Sequence, residues 1–129
     1  MATVMDVSGL IEKTAEPLIE AAGDRFAWIS PLFGMLGTFV TGSVVNSNVL
    51  FGKLQLLAAH ESGMSSVWFA AANAAGATVG KMVAPQSIAI AASASAVLAQ
   101  SSSKMLSGTL RYAVAGAVIL AAVAGLFAF

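Results

Sequence analysis

The sequence predicts an all-α membrane protein: an interfacial or packing helix, a re-entrant helical hairpin, a transmembrane helix broken in its interior, and a closing transmembrane helix. Three observations carry this. Of 129 residues, 9% are charged and 58% hydrophobic, where an ordinary soluble domain is about 25% charged. Mean hydropathy is +0.87. Charges are absent from the runs 26–52, 62–80, 82–103 and 112–129, and about 20 mostly apolar residues cross a bilayer. A soluble Ala-rich bundle would need charged outer faces, yet no Asp or Glu follows Glu61.

Residues 1–25 read as an amphipathic helix and a turn. Val4, Val7, Leu10, Ile11, Ala15, Leu18, Ile19 and Ala22 recur near helical spacing, with Asp6, Glu12, Lys13, Glu16 and Glu20 largely on other faces. Pro17 kinks this helix and Gly23 ends it. It suits an interface or partly wet protein rather than lipid. Asp6 and Glu12 also stand where a signal peptide needs a positive and then an apolar segment.

Residues 26–62 read as the re-entrant hairpin, with its tip at 43–48. Trp28 marks a membrane interface and Pro31 suits a first helical turn. The first arm, 31–42, is too short to span. Gly34, Thr38 and Gly42 give it one small face. Thr41, Ser43, Asn46, Ser47 and Asn48 then form a polar knot in a charge-free run. The second arm, from Val49 to about Ser62, carries Lys53, Gln55, His60 and Glu61 and emerges into water. Irregular backbone at membrane depth is tolerated only inside protein or beside a wet cavity.

Residues 63–103 read as a transmembrane helix broken near 81–87. Ser65 is a candidate N-cap. Ala72, Gly76 and Gly80 form a second small-residue stripe, and Pro85 interrupts a helix that resumes from Ile88 to about Gln100. Ser101 to Lys104 reads as a surface loop. Residues 104–129 hold the closing helix, Leu110 to Phe129. Lys104 and Arg111 favour a cytoplasmic start for it.

Composition also excludes functions. Formal net charge is zero and Cys is absent, so there is no basic surface for nucleic acid, no disulfide framework and no thiolate metal site. His60 is the lone histidine and five of six acids precede residue 26, leaving no triad, no paired carboxylates and no metal site. Gly76 to Met82 resembles a phosphate loop but is one residue short, and Met82 replaces the required Ser or Thr. No enzyme activity and no cofactor are expected.

What remains are the two interruptions, 41–48 and 81–87. Half-helix ends at the bilayer midplane bind solutes and ions in transporters with discontinuous helices. Helix N-termini suit carboxylates, and Ser, Asn and Gln supply hydrogen bonds without a buried charge. The candidate substrate-binding residues are Ser43, Asn46, Ser47, Asn48, Gln86 and Ser87. Thr41, Asn73, Lys81 and Pro85 are secondary. The competing readings are that the Ser and Asn residues satisfy a buried turn, that Lys81 snorkels to the interface, and that Asn73 joins helices.

Ser30 to Ser43 and Asn46 to Gln55 closely resemble the C-terminal part of the L-lactate permease family. So do Ala71 to Gly76 and Gly80 to Ala91, and the likeness covers roughly 26–112. It implies uptake of L-lactate, or a related 2-hydroxy monocarboxylate such as glycolate, with protons, across the bacterial inner membrane. It also implies an inverted-repeat transporter similar to the wider ion-transporter superfamily, in which Ser-Asn at hairpin tips and a Pro-containing break shape the substrate site. Family members are several times longer, so the remaining N-terminal part of the transporter is an implied partner, beside the lipid bilayer. After Thr-Gly-Ser the family carries a polar or acidic residue and then Thr; this sequence has Val44-Val45. Ala99 to Ser103 replaces a Gly- and charge-bearing loop. The alternative is a non-transporting membrane subunit or inactive fragment that keeps only the packing. An independent channel would need polar stripes along full spans, which the sequence lacks.

Overall fold

The computed structural model describes Lys13, Pro17 and residues 19–94 and 102–127, and these are helical apart from turns and short connections, with no strand among them. The sequence-predicted helix over 4–22 lies largely outside the described residues; Lys13, Pro17 and 19–22 are helical. A 3-10 turn at Gly23–Arg25 leads into α1, Phe26–Thr41. There follow α2, Val44–Ser62, α3, Ser66–Lys81, α4, Pro85–Ser93, and α5, Ser102–Leu126.

Three boundaries differ from expectation. Helix α1 begins at Phe26, so Pro31 lies inside it rather than in its first turn; a proline within a membrane helix is tolerated where neighbouring helices supply partners. Helix α2 begins at Val44, so the tip is Gly42-Ser43, and Asn46 to Asn48 are helical. Helix α5 begins at Ser102, so Ser102 to Lys104 belong to it rather than to a loop. Its Ser107 and Thr109 hydroxyls bond back to carbonyls one turn earlier, at Lys104 and Met105, which satisfies them within the helix.

Each turn has a local cause. Gly42 adopts φ 68° and its N–H reaches the Thr38 carbonyl at 2.7 Å, a left-handed stop that glycine favours. Gly63 ends α2 in the same way, with the Met64 N–H on the Ala59 carbonyl at 3.0 Å. Ser65 caps α3 as its position suggested, accepting from the Trp68 N–H at 3.4 Å. Ala84 is extended because a proline follows it, and Pro85 opens α4 where no N–H is needed.

Helices α1 and α2 are antiparallel arms, and α3 returns parallel to α1. The two small-residue stripes meet at the α1–α3 crossing. A Cβ at Gly76 would overlap the Pro31 carbonyl oxygen and lie 2.8 Å from the Pro31 Cα. A Cβ at Gly34 would overlap the Asn73 carbonyl oxygen and lie 2.8 Å from the Ala77 nitrogen. A Cβ at Gly80 would overlap the Met35 carbonyl oxygen less deeply and lie 2.8 Å from the Met35 Cα. Such backbone contact is the main source of helix association where lipid removes the hydrophobic drive.

At the opposite end from the tip, Phe26 stacks between Phe33, at 5.5 Å, and Phe69, at 5.9 Å. Ile19, Ala27, Leu54, Ala58 and Ala59 complete this core. Helix α5 runs antiparallel to α1 and α3. Trp28 lies against Gly125, and the Trp68 indole N–H donates to the Ala124 carbonyl at 3.2 Å. Helix α5 is the one described helix long and apolar enough to cross a membrane. Leu110, Val114, Val118, Ile119 and Leu126 on it are exposed.

Replacing Gly76 by Val is expected to destabilise the protein in detergent by more than the about 1–3 kcal/mol typical of overpacking, since backbone obstructs the new atoms. Gly52→Ala, with nothing within 4 Å of its new Cβ, is expected to be neutral or to stabilise by up to about 1 kcal/mol. Thermal unfolding in micelles compares the two; equal Tm values would refute the close crossing.

Candidate functional site

The two helix interruptions come together. Helix α1 ends at Gly42 and helix α4 begins at Pro85, and a Cβ on Gly42 would overlap the Gln86 side-chain amide. Only glycine allows both this approach and the positive φ. The Lys81 ammonium donates to the Gly42 carbonyl oxygen. It therefore stands at the C-terminal end of α1, where unpaired carbonyls carry partial negative charge. Lys81 is the one charged residue between Glu61 and Lys104.

The tip itself is short. The Thr41 hydroxyl donates to the Gly37 carbonyl at 2.7 Å and accepts from the Ser43 N–H at 3.3 Å. Ser43 is extended and caps α2, its hydroxyl accepting from the Asn46 N–H at 3.3 Å. Across the break, Val83 and Ala84 are buried, and no side chain caps α4. The Ser87 hydroxyl oxygen is buried with no partner among the described residues. The hydroxyl of Thr38 is likewise unpartnered, on the α1 face that carries Gly34 and Gly42.

Below the tip, a chain of polar side chains crosses from α1 through α2 to α3 and back. Ser30 Oγ donates to Gln55 Oε1 at 2.7 Å. Gln55 Nε2 donates to the Ser30 carbonyl at 3.2 Å and to Asn73 Oδ1 at 3.1 Å. Asn73 Nδ2 donates to Asn48 Oδ1 at 2.9 Å. Ser30, Gln55 and Asn73 are at most 2% exposed. Beside this chain, Ser47 is fully buried and its hydroxyl donates to the Gly34 carbonyl at 2.7 Å, bolting the two arms together.

The residues singled out from the sequence thus fall into groups. Thr41, Ser43, Lys81, Pro85, Gln86 and Ser87 belong to the tip and the break that faces it. Asn48 and Asn73 bond to each other below. The Ser47 hydroxyl proton is committed to α1, and Asn46 is exposed in the first turn of α2. Two members of the polar chain went unrecognised. Gln55 was expected in water with Lys53, His60 and Glu61, yet it is 1% exposed. The available signal was spacing: Asn48 and Gln55 are seven residues apart, two turns on one helical face. Ser30 gave no such signal. Among the described residues no group of three His, Cys, Asp or Glu is placed to hold a metal ion.

A family model described as L-lactate permease matches residues 1–129. The chain is 46% identical over 93 residues to the L-lactate permease of Salmonella typhi, covering 72% of this chain and 17% of that relative. The L-lactate permease of Escherichia coli (strain K12) is 45% identical over the same length. The glycolate permease GlcA of Escherichia coli (strain K12) is 38% identical over 125 residues, 97% of this chain and 21% of that relative. The chain therefore spans about a fifth of the length of the curated relatives it matches. No solved structure matches it.

The buried amides give a test of their own. Asn73→Leu leaves the Asn48 and Gln55 amides each short of a partner, so unfolding in micelles is expected at lower temperature. A double-mutant cycle with Gln55→Met is expected to return a favourable coupling of about 0.6 kcal/mol, and up to about 1.7, as for other buried hydrogen bonds in membranes. Zero coupling would mean that the two side chains do not meet.

Proposed function

The chain belongs to the L-lactate permease family, and we propose that it forms part of a transporter for L-lactate, or a related small 2-hydroxy monocarboxylate such as glycolate, coupled to protons in the bacterial inner membrane. The names of its relatives support the substrate class. On this reading α1 and α2 form a re-entrant hairpin, α3 and α4 a broken transmembrane helix, and α5 a full span against lipid. The remainder of the transporter supplies the other half of the site.

The observation that carries the proposal is the meeting of tip and break: Gln86 packed on Gly42, the Lys81 ammonium on the Gly42 carbonyl, and, next in sequence to Gln86, the Ser87 hydroxyl buried with no partner among the described residues. A small monocarboxylate needs one cation and a few fixed donors. We assign Lys81 to the carboxylate and Ser43, Asn46, Asn48, Gln86 and Ser87 to its oxygens and the 2-hydroxyl. Ser47 holds the arms in register, Thr41 and Pro85 shape the two ends, and Asn73 orients Asn48. No Asp or Glu lies between Asp24 and Glu61 or after Glu61. No carboxyl side chain from residues 25–60 or 62–129 is therefore available to carry a proton at this site.

The test is uptake of labelled L-lactate and glycolate by cells that lack their own uptake systems and express the chain with the rest of the transporter. Lys81→Met and Gln86→Ala are each expected to lower kcat/KM tenfold or more at unchanged protein level, since a hydrogen bond to a charged group contributes about 1.5–3 kcal/mol. If Asn48→Ala inserts normally and transports normally, the assignment of the hairpin to the substrate fails.

A further inference from the structure

We infer that Ser30 and Gln55 are positioning residues that act through Asn73 to fix the Asn48 side chain with its Nδ2 outward, so that this end of the polar chain donates to a ligand oxygen. The inference rests on the transport reading above and adds to it the two residues that set the hydrogen-bonding sense of the site.

The argument is one of direction. A carboxamide has an acceptor end and a donor end, and a chain of them runs either way unless something anchors it. Here the anchor is backbone. The Ser30 carbonyl can only accept, and Gln55 Nε2 stands 3.2 Å from it. Turning the Gln55 amide over would set two acceptors against each other in a site where Gln55 is 1% exposed, at the full cost of a buried unpaired group. The Ser30 hydroxyl, which can donate or accept, follows the amide and donates to Oε1 at 2.7 Å. Both Nε2 hydrogens are then used, one on Ser30 and one on Asn73 Oδ1.

The orientation passes along the chain. Because Asn73 presents Oδ1 to Gln55, it must present Nδ2 to Asn48, as the 2.9 Å bond to Asn48 Oδ1 records. Asn48 Oδ1 is thereby turned toward Asn73, and its Nδ2 donates to no described residue. Asn48 is only half-buried, and it lies five residues after the Ser43 cap, roughly 8 Å along the helix axis. The free end of the chain is a donor near the hairpin tip. Aligned amide dipoles strengthen one another in a low dielectric, so the outward N–H₂ suits a carboxylate or hydroxyl oxygen and disfavours a cation.

The test is the concentration dependence of L-lactate uptake in the assay above. Gln55→Met keeps the volume and removes the anchor. It is expected to raise KM about tenfold with kcat within twofold and unchanged protein abundance. Asn48→Leu is expected to do the same, and the double substitution is expected to be no worse than Asn48→Leu alone, because Gln55 acts only through Asn48. Asn48→Asp keeps the bond from Asn73 but turns an anionic acceptor outward, and its uptake is expected to fall below that of Asn48→Leu. Additive effects of Gln55→Met and Asn48→Leu, or a Gln55→Met variant with wild-type KM, would overturn the relay while leaving the transport reading intact. Absence of saturable uptake by the unsubstituted protein would overturn both.

Discussion

The backbone contact between α1 and α3 is the constraint on which the other features rest. Gly34, Gly76 and Gly80 remove the side chains that would hold these parallel helices apart. Their approach places Asn73 within reach of both Gln55 and Asn48 on the intervening helix. It also delivers Lys81, at the end of α3, to Gly42 at the end of α1. Tip and break meet because the two helices that lead to them run side by side from the start. In lipid, where apolar side chains gain little by leaving their solvent, close contact and hydrogen bonds carry the association.

Polar groups are handled in two ways. Of the deep ones, Ser30, Ser47, Gln55 and Asn73 are bonded and nearly inaccessible, whereas the equally buried Thr38 hydroxyl has no partner among the described residues. Those at the tip are not fully satisfied: Ser87 lacks a partner among the described residues, Gln86 is exposed, and Lys81 leans on a lone carbonyl. An unpaired buried hydroxyl is costly in any protein. Among the described residues two hydroxyls are in this state, Thr38 one turn before Gly42 on α1 and Ser87 in the first turn of α4.

Much of this was legible in the sequence, and the limits have physical causes. Two glycine stripes at four-residue spacing announced close helix faces, though not that they face each other. Ser65 and Gly63 fixed the α2–α3 turn through local chemistry alone. The helix starts earlier than the sequence suggests: Asn46, Ser47 and Asn48 are poor helix formers in isolation, yet the Ser43 cap starts the helix at Val44, ahead of them. Gln55 was assigned to water because its neighbours in sequence are charged. Burial of a helical residue depends on the face it occupies and on the helix opposite, which a single sequence does not display. The meeting of Gly42 with Gln86 joins residues 44 apart and had no local signature.

The two-residue connection between α1 and α2 bears on how this segment can change over generations. Its arms are bolted at Gly34–Ser47 and Ser30–Gln55, and the turn between them has no slack. Adding or deleting one residue within α2 ahead of these contacts rotates everything beyond by about 100°. Ser47, Asn48 and Gln55 would then leave their partners together. The hairpin is therefore open to drift by substitution on its outer faces and closed to insertion. Length is thus a constraint on this hairpin alongside the identity of its buried glycines and polar residues.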